Sequence, residues 1–140
     1  MASFNKFNSF VEALAEKKHD LGADTLKVLL TNTAPVATNS VKADLTEISA
    51  GNGYTAGGNT ASVTSSAQTS GTYKLVLGDP ATWTASGGSI GPFQYAVLYN
   101  DTAANDELIG WWDYGSAVTL ADGESFAVDF DPSTGVLTIA

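Results

Sequence analysis

The stretch Gln94–Asn100, QYAVLYN, decides the fold class of this 140-residue chain. Side chains on a β-strand point alternately to its two faces, so Tyr95 and Val97 share one face while Ala96 and Leu98 share the other. Both faces are therefore apolar. A strand of this kind is typical of the middle of a packed sheet. The stretch thus predicts a β-protein with this strand at the centre of its core.

Two segments on the N-terminal side of this stretch alternate with period two. TLKVLLT (25–31) places Leu26 and Leu30 on one face and Lys27 on the other, and TYKLVLG (72–78) places Lys74 opposite its apolar face in the same way. Both segments are therefore predicted to be half-buried strands.

Four short strand-like segments follow on the C-terminal side: LIGWWDY, SAVTL, SFAVDF and GVLTIA. Asp122–Gly123 predicts a two-residue hairpin between SAVTL and SFAVDF. DPSTG (131–135) predicts a second turn, so the last two strands are expected to form a hairpin that ends the chain within a sheet.

Apolar residues near the N-terminus recur at intervals of three, four or seven, which predicts an amphipathic helix from Ser3 or Ser9 to Asp20. They are Phe7, Phe10, Val11, Leu14 and Leu21. Ser9 and Glu12 form a possible capping box, and Gly22 suits the position after the helix. Between residues 31 and 72, a chain rich in Thr, Gly, Ser and Asn also carries spaced apolar anchors, which favours ordered loops with short edge strands over a linker.

These patterns together predict a single domain, mainly β, in which residues 1–22 form a helical segment and residues 23–140 form the sheets. We expect an antiparallel β-sandwich, jelly-roll-like, with one N-terminal amphipathic helix covering a face or an end.

The composition limits the partners of the protein. Six lysines, no arginine and 15 carboxylates give a net charge of −9, so we expect no nucleic-acid partner and no attraction to anionic membranes. There is no cysteine, which fits folding in a reducing cytoplasm. The first residues lack the pattern of a signal peptide and no stretch is long and apolar enough to span a bilayer, so we expect neither secretion by this route nor insertion.

Few residues offer chemistry. His19 is the only histidine and is expected to be a solvated residue at the end of the helix. The carboxylate pairs Asp129/Asp131 and Asp101/Asp106 lack the spacing of an EF-hand and are interpreted as turn residues. The glycine pairs lack the helix and the Lys-Ser/Thr of a phosphate-binding loop. We therefore expect no enzyme, no metal, no cofactor and no small-molecule substrate.

Aromatic side chains are the remaining candidates for binding. Trp83, Trp111 and Trp112 are candidates for a sugar-binding face, because aromatic planes pack on sugar rings. Trp111 and Trp112 point to opposite faces of a strand, however, so at least one of them is expected in the core or an interface. Phe4, Phe7 and Phe10 either pack on the sheet of their own chain or dock onto a neighbouring subunit or a capsid surface, as exposed apolar patches do.

The chain resembles a family of small tailed-bacteriophage virion proteins. The resemblance rests on GNGYTAGGNTASVTSSAQTSGTYKL (51–75), PATWTASGGSIGPFQYAVLYNDTA (80–103), LIGWWDYG (108–115) and DFDPSTGVLTIA (129–140), and extends to the segment from residue 7 to residue 35. It implies a structural protein of the virion, in particular a capsid decoration (cement) protein on the head surface that binds the major capsid protein and copies of itself as a dimer or trimer. The alternative is a tail or fibre component that contacts the host surface or glycans, but the chain lacks a repetitive shaft.

Overall fold

The computed structural model describes residues 2–140 of the chain as a mainly β structure. Their strands and helices, in chain order, are β1 (Asn5–Lys6), α1 (Ser9–Ala15), β2 (Leu26–Thr31), a 3₁₀ turn (Lys42–Asp44), β3 (Asn59–Ala61), β4 (Val63–Thr69), β5 (Thr72–Leu77), β6 (Trp83–Thr84), β7 (Ile90–Asn100), β8 (Leu108–Leu120), β9 (Ser125–Phe126) and β10 (Leu137–Ile139). No helix within these residues is long and apolar enough to cross a membrane.

The strands form three antiparallel sheets. The largest has the order β1-β8-β7-β2-β3, a second has the order β10-β5-β4, and β6 pairs with β9. The stretch QYAVLYN lies in β7, the third of the five strands, as its two apolar faces predict. The antiparallel β-sandwich expected from the sequence is confirmed.

The five-stranded sheet is buried on both faces. Its first face packs against the two smaller sheets in the main core, where Leu30 of β2, Leu98 of β7 and Leu75 of β5 are fully buried. The second face carries a smaller cluster, formed by Phe7, Leu29, Val97, Tyr99 and Leu108, with Leu45 and Trp111 packed against it.

The N-terminal segment differs from the prediction. Residues 5–6 form a strand that pairs with β8, and α1 spans only Ser9–Ala15. Asn8 precedes the helix without a side-chain cap, so the predicted capping box at Ser9 is wrong. The helix ends early because Lys17, with φ of 65°, takes the left-handed conformation that was expected at Gly22. The Lys17 N–H donates to the Leu14 carbonyl and the Lys18 N–H donates to the Ala13 carbonyl, which closes the last turn. The predicted helical segment 1–22 therefore contains a strand of the main sheet.

Both predicted C-terminal hairpins are wrong. A turn does form at Asp122–Gly123, where the Glu124 N–H bonds to the Ala121 carbonyl, but β9 pairs with β6 and not with β8. A turn also forms at 131–135, yet β10 pairs with β5, at the edge of its sheet. The residues of a turn set the local chain reversal, whereas burial of Leu137 between the sheets selects the strand partner.

The region between residues 31 and 72 is ordered, as its apolar anchors predict. It contains the 3₁₀ turn and the edge strands β3 and β4. Tyr54 is buried, and its hydroxyl accepts a hydrogen bond from the Leu30 N–H at 3.0 Å. On the second face of the sheet, the Tyr99 hydroxyl donates to the Gly57 carbonyl at 2.6 Å. These two hydrogen bonds anchor the segment between residues 31 and 72 to both faces of the main sheet.

Candidate functional site

An aromatic cleft of about 340 Å³ lies between the five-stranded sheet and the irregular segment 127–136. Residues of β7 and β8 line one side of the cleft and the segment that follows β9 lines the other, and Phe4 also contributes to the lining. The volume falls near the lower limit for small-ligand sites, which start at roughly 300 Å³. The cleft therefore has room for one small ligand or for a side chain of a partner.

Two groups of rings line this cleft. Trp112 lies between Phe4 and Phe130, with ring centroids 5.4 Å from each. Phe126 lies 4.9 Å from Phe93 and 5.5 Å from Tyr114. Tyr114 is 59% exposed, whereas Trp112 and Phe126 are half-buried. The cleft thus presents aromatic surface to the outside instead of closing over it.

Acidic and amide groups border the rings. Asp129 and Asp131 line the cleft, as does Gln94, whose amide donates to the Asp113 carboxylate at 2.9 Å. No lysine among residues 2–140 lines the cleft. The site therefore combines aromatic faces with negative charge, a combination that attracts cationic groups.

Hydrogen bonds from backbone N–H groups hold the segment that follows β9 in place along the cleft. The Phe130 N–H donates to the Asp79 carboxylate at 2.7 Å, and the Val136 N–H donates to the Leu75 carbonyl at 2.8 Å. Asp131 accepts hydrogen bonds from the Ser133 and Thr134 N–H groups, which lower the pKa of this carboxyl. Asp131 is therefore a turn residue, as predicted, that also borders the cleft.

The three phenylalanines predicted to dock onto a partner have different environments. Phe7 is fully buried and Phe10 is 3% exposed, so both rings pack within their own chain, which is the first of the two alternatives given for them. The Phe7 ring packs against Trp111, and the Phe10 ring lies in the main core. Phe4 is half-buried and lines the cleft, so it alone faces a site that a partner can reach.

His19 is buried and not solvated, which corrects the prediction. The Asn100 amide donates to His19 Nδ1 at 3.0 Å and to the Asp24 carboxylate at 2.7 Å, while its oxygen accepts from the Thr102 N–H. Because an amide nitrogen only donates, Nδ1 accepts and the proton sits on Nε2. Burial lowers the pKa of His19, against the opposing effect of Glu107 and Asp24. Burial therefore favours the neutral form of the ring, whose buried Nε2 has no hydrogen-bond partner among residues 2–140.

Other candidates lie in structural positions. Asp101 pairs with Lys27 at 3.4 Å, in the loop between β7 and β8 that also holds Asp106. Trp111 and Trp112 point to opposite faces of the sheet, as predicted, and contribute to the two different core clusters. Sequence reasoning missed the cleft because its rings come from four separate segments. The only signal was the aromatic alternation around Trp112 and Phe126.

No protein-family model, curated protein or solved structure matches this chain.

Proposed function

We propose that the protein is a structural component of a bacteriophage particle, a capsid decoration protein that binds the major capsid protein through the aromatic cleft. The observation that carries this proposal is the open cleft, which is lined by the exposed Tyr114 ring. The choice of the major capsid protein as the partner rests on the resemblance of the sequence to virion proteins. The proposed role is binding, and it involves no reaction.

The chemistry of the cleft defines what its partner presents. Aromatic faces beside Asp129 and Asp131 favour an apolar side chain next to a lysine or an arginine, because the rings and the carboxylates both attract a cation. The net charge of −9 favours a basic partner surface in the same way. Many weak sites on one shell then act together.

A tail or fibre protein that binds glycans is the second candidate. The exposed Tyr114 ring, with Asp129 and Gln94 nearby, is an arrangement that also suits a sugar ring and its hydroxyl groups. The two candidates differ in copy number and in ligand, so one set of measurements separates them.

The test is a binding assay on capsids that lack the protein, together with its copy number in purified particles by quantitative mass spectrometry. We expect a copy number equal to that of the major capsid protein or a simple fraction of it. Tyr114→Ala should weaken capsid binding about tenfold or more, as a central aromatic anchor does. Val36→Ala, at a residue that is 53% exposed outside the cleft, is the matched control and should bind normally.

A handful of copies per particle, with binding to a glycan that Tyr114→Ala abolishes, would assign the protein to the tail. Absence from the particle would overturn both candidates.

A further inference from the structure

Strand β4 is an unusually long free edge. It lies at the edge of the three-stranded sheet, spans seven residues, and six of them are exposed. The other edge strands of the two larger sheets, within residues 2–140, have two or three residues each. A free edge presents unpaired N–H and C=O groups that another strand can satisfy.

The hairpin between β4 and β5 shows which backbone groups point outward. Ser70 and Gly71, both with positive φ, form its two-residue loop, so Thr69 and Thr72 are the hydrogen-bonded pair that closes it. Hydrogen-bonded and non-bonded pairs alternate along an antiparallel ladder. The N–H and C=O groups of Ser66 and Gln68 therefore point away from β5.

Side-chain hydrogen bonds hold β4 in its extended form. The Thr64 hydroxyl donates to the Val76 carbonyl at 3.1 Å, and the Ser66 and Tyr73 hydroxyls lie 2.9 Å apart. The Gln68 side chain accepts from the Gly71 N–H at 3.0 Å. A strand that is already ordered loses less conformational entropy when it pairs with another strand.

The edge also lacks the usual protection against pairing. Its sequence, VTSSAQT, contains no charged residue and no proline, although the chain carries a net charge of −9. Lysine and proline are the residues that most often protect free edges. Two copies of the chain can therefore meet along β4 without placing like charges opposite each other.

We propose that β4 pairs antiparallel with β4 of a second copy, which joins two three-stranded sheets into one six-stranded sheet. Ser66 and Gln68 of one copy exchange backbone hydrogen bonds with Gln68 and Ser66 of the other. Ala67 then lies opposite its own copy on the two-fold axis. An antiparallel strand is complementary to itself, so one surface serves both copies. This interface is independent of the aromatic cleft.

The first test uses the absence of native cysteine. Ala67→Cys should form a disulfide-linked dimer under mild oxidation, because directly opposed residues lie within the Cα separation that a disulfide bridges. Ala104→Cys, at another exposed alanine in the loop before β8, is the control and should remain monomeric on a non-reducing gel.

The second test is the molar mass in solution at up to ~100 μM protein, where any dimer with a micromolar Kd is populated. The unmodified protein should be a dimer. Ala67→Glu should weaken the dimer about tenfold or more, because it places two carboxylates opposite each other. Within one chain it faces Lys74, so the monomer keeps its fold. Ala104→Glu adds the same charge elsewhere and should leave the dimer intact.

Ser66→Pro is a second variant, since it removes an outward N–H group and spares the ladder with β5. A dimer that resists both Ala67→Glu and Ser66→Pro would overturn the proposal. A protein that is still monomeric at ~100 μM would also overturn the proposal. If β4 is protected from hydrogen exchange on capsids but not in the free protein, the edge binds the capsid protein and not a second copy, which would overturn it as well.

Discussion

Replacement of Phe7 by alanine separates the core position of this residue from the docking role predicted for it. The ring is fully buried and lies 4.5 Å from the Trp111 ring, in the small cluster on the second face of the main sheet. The backbone N–H of the same residue bonds to the Ile109 carbonyl at 3.2 Å. Removal of the ring therefore leaves a cavity that the paired backbone cannot close.

The expected cost follows from this burial. A fully buried phenylalanine replaced by alanine costs about 3–5 kcal/mol of unfolding free energy. The entropy of unfolding of a 140-residue domain is roughly 0.3 kcal/mol per kelvin, so Tm should fall by about 10–17 °C. Thermal and urea unfolding of the isolated protein measure both quantities.

Two variants calibrate the result. Val11→Ala, at a residue that is 53% exposed on α1, should change stability by less than about 0.5 kcal/mol. Phe4→Ala, at a half-buried position, should cost less than Phe7→Ala. If Phe7→Ala costs less than about 1 kcal/mol but abolishes binding to capsids, then the ring is a docking residue and the burial argument fails.

Two further predictions concern the backbone and the buried histidine. Gly58→Ala should destabilise the protein by more than about 2 kcal/mol in urea unfolding, because φ is +76° at this position and a Cβ atom would collide with the Val28 carbonyl. Gly71→Ala is the control and should cost less, because Gly71 also has a positive φ but has open space around it. The pKa of His19 is lowered in the folded protein, so the unfolded chain binds more protons and stability should fall as the pH drops below the unfolded value of 6.5. His19→Asn should remove part of this dependence between about pH 7 and pH 5, and an unchanged pH profile would contradict the buried neutral ring.

Local patterns in the sequence were sufficient for the fold class and for the strands of the core. They failed for SFAVDF, of which only Ser125–Phe126 is a strand, and they divided β8 into two segments. QYAVLYN, TLKVLLT and TYKLVLG lie in β7, β2 and β5 because the alternation of side chains follows directly from the geometry of a strand. The turns at Asp122–Gly123 and at 131–135 were also predicted correctly as turns, since the backbone of each depends on a few neighbouring residues.

Strand partners, by contrast, were decided by the tertiary structure. β9 pairs with β6 and β10 pairs with β5, and neither forms the hairpin predicted for it. Burial of apolar side chains between the sheets stabilises these pairings more than pairing with the neighbouring strand in sequence would. The same holds for the candidate sites. His19 lies in a buried position beside Asn100, and the cleft forms where Phe4, Trp112 and Phe130, from distant segments of the chain, pack against one another. Contacts between residues far apart in the chain leave no periodic signal, so only the folded structure reveals them.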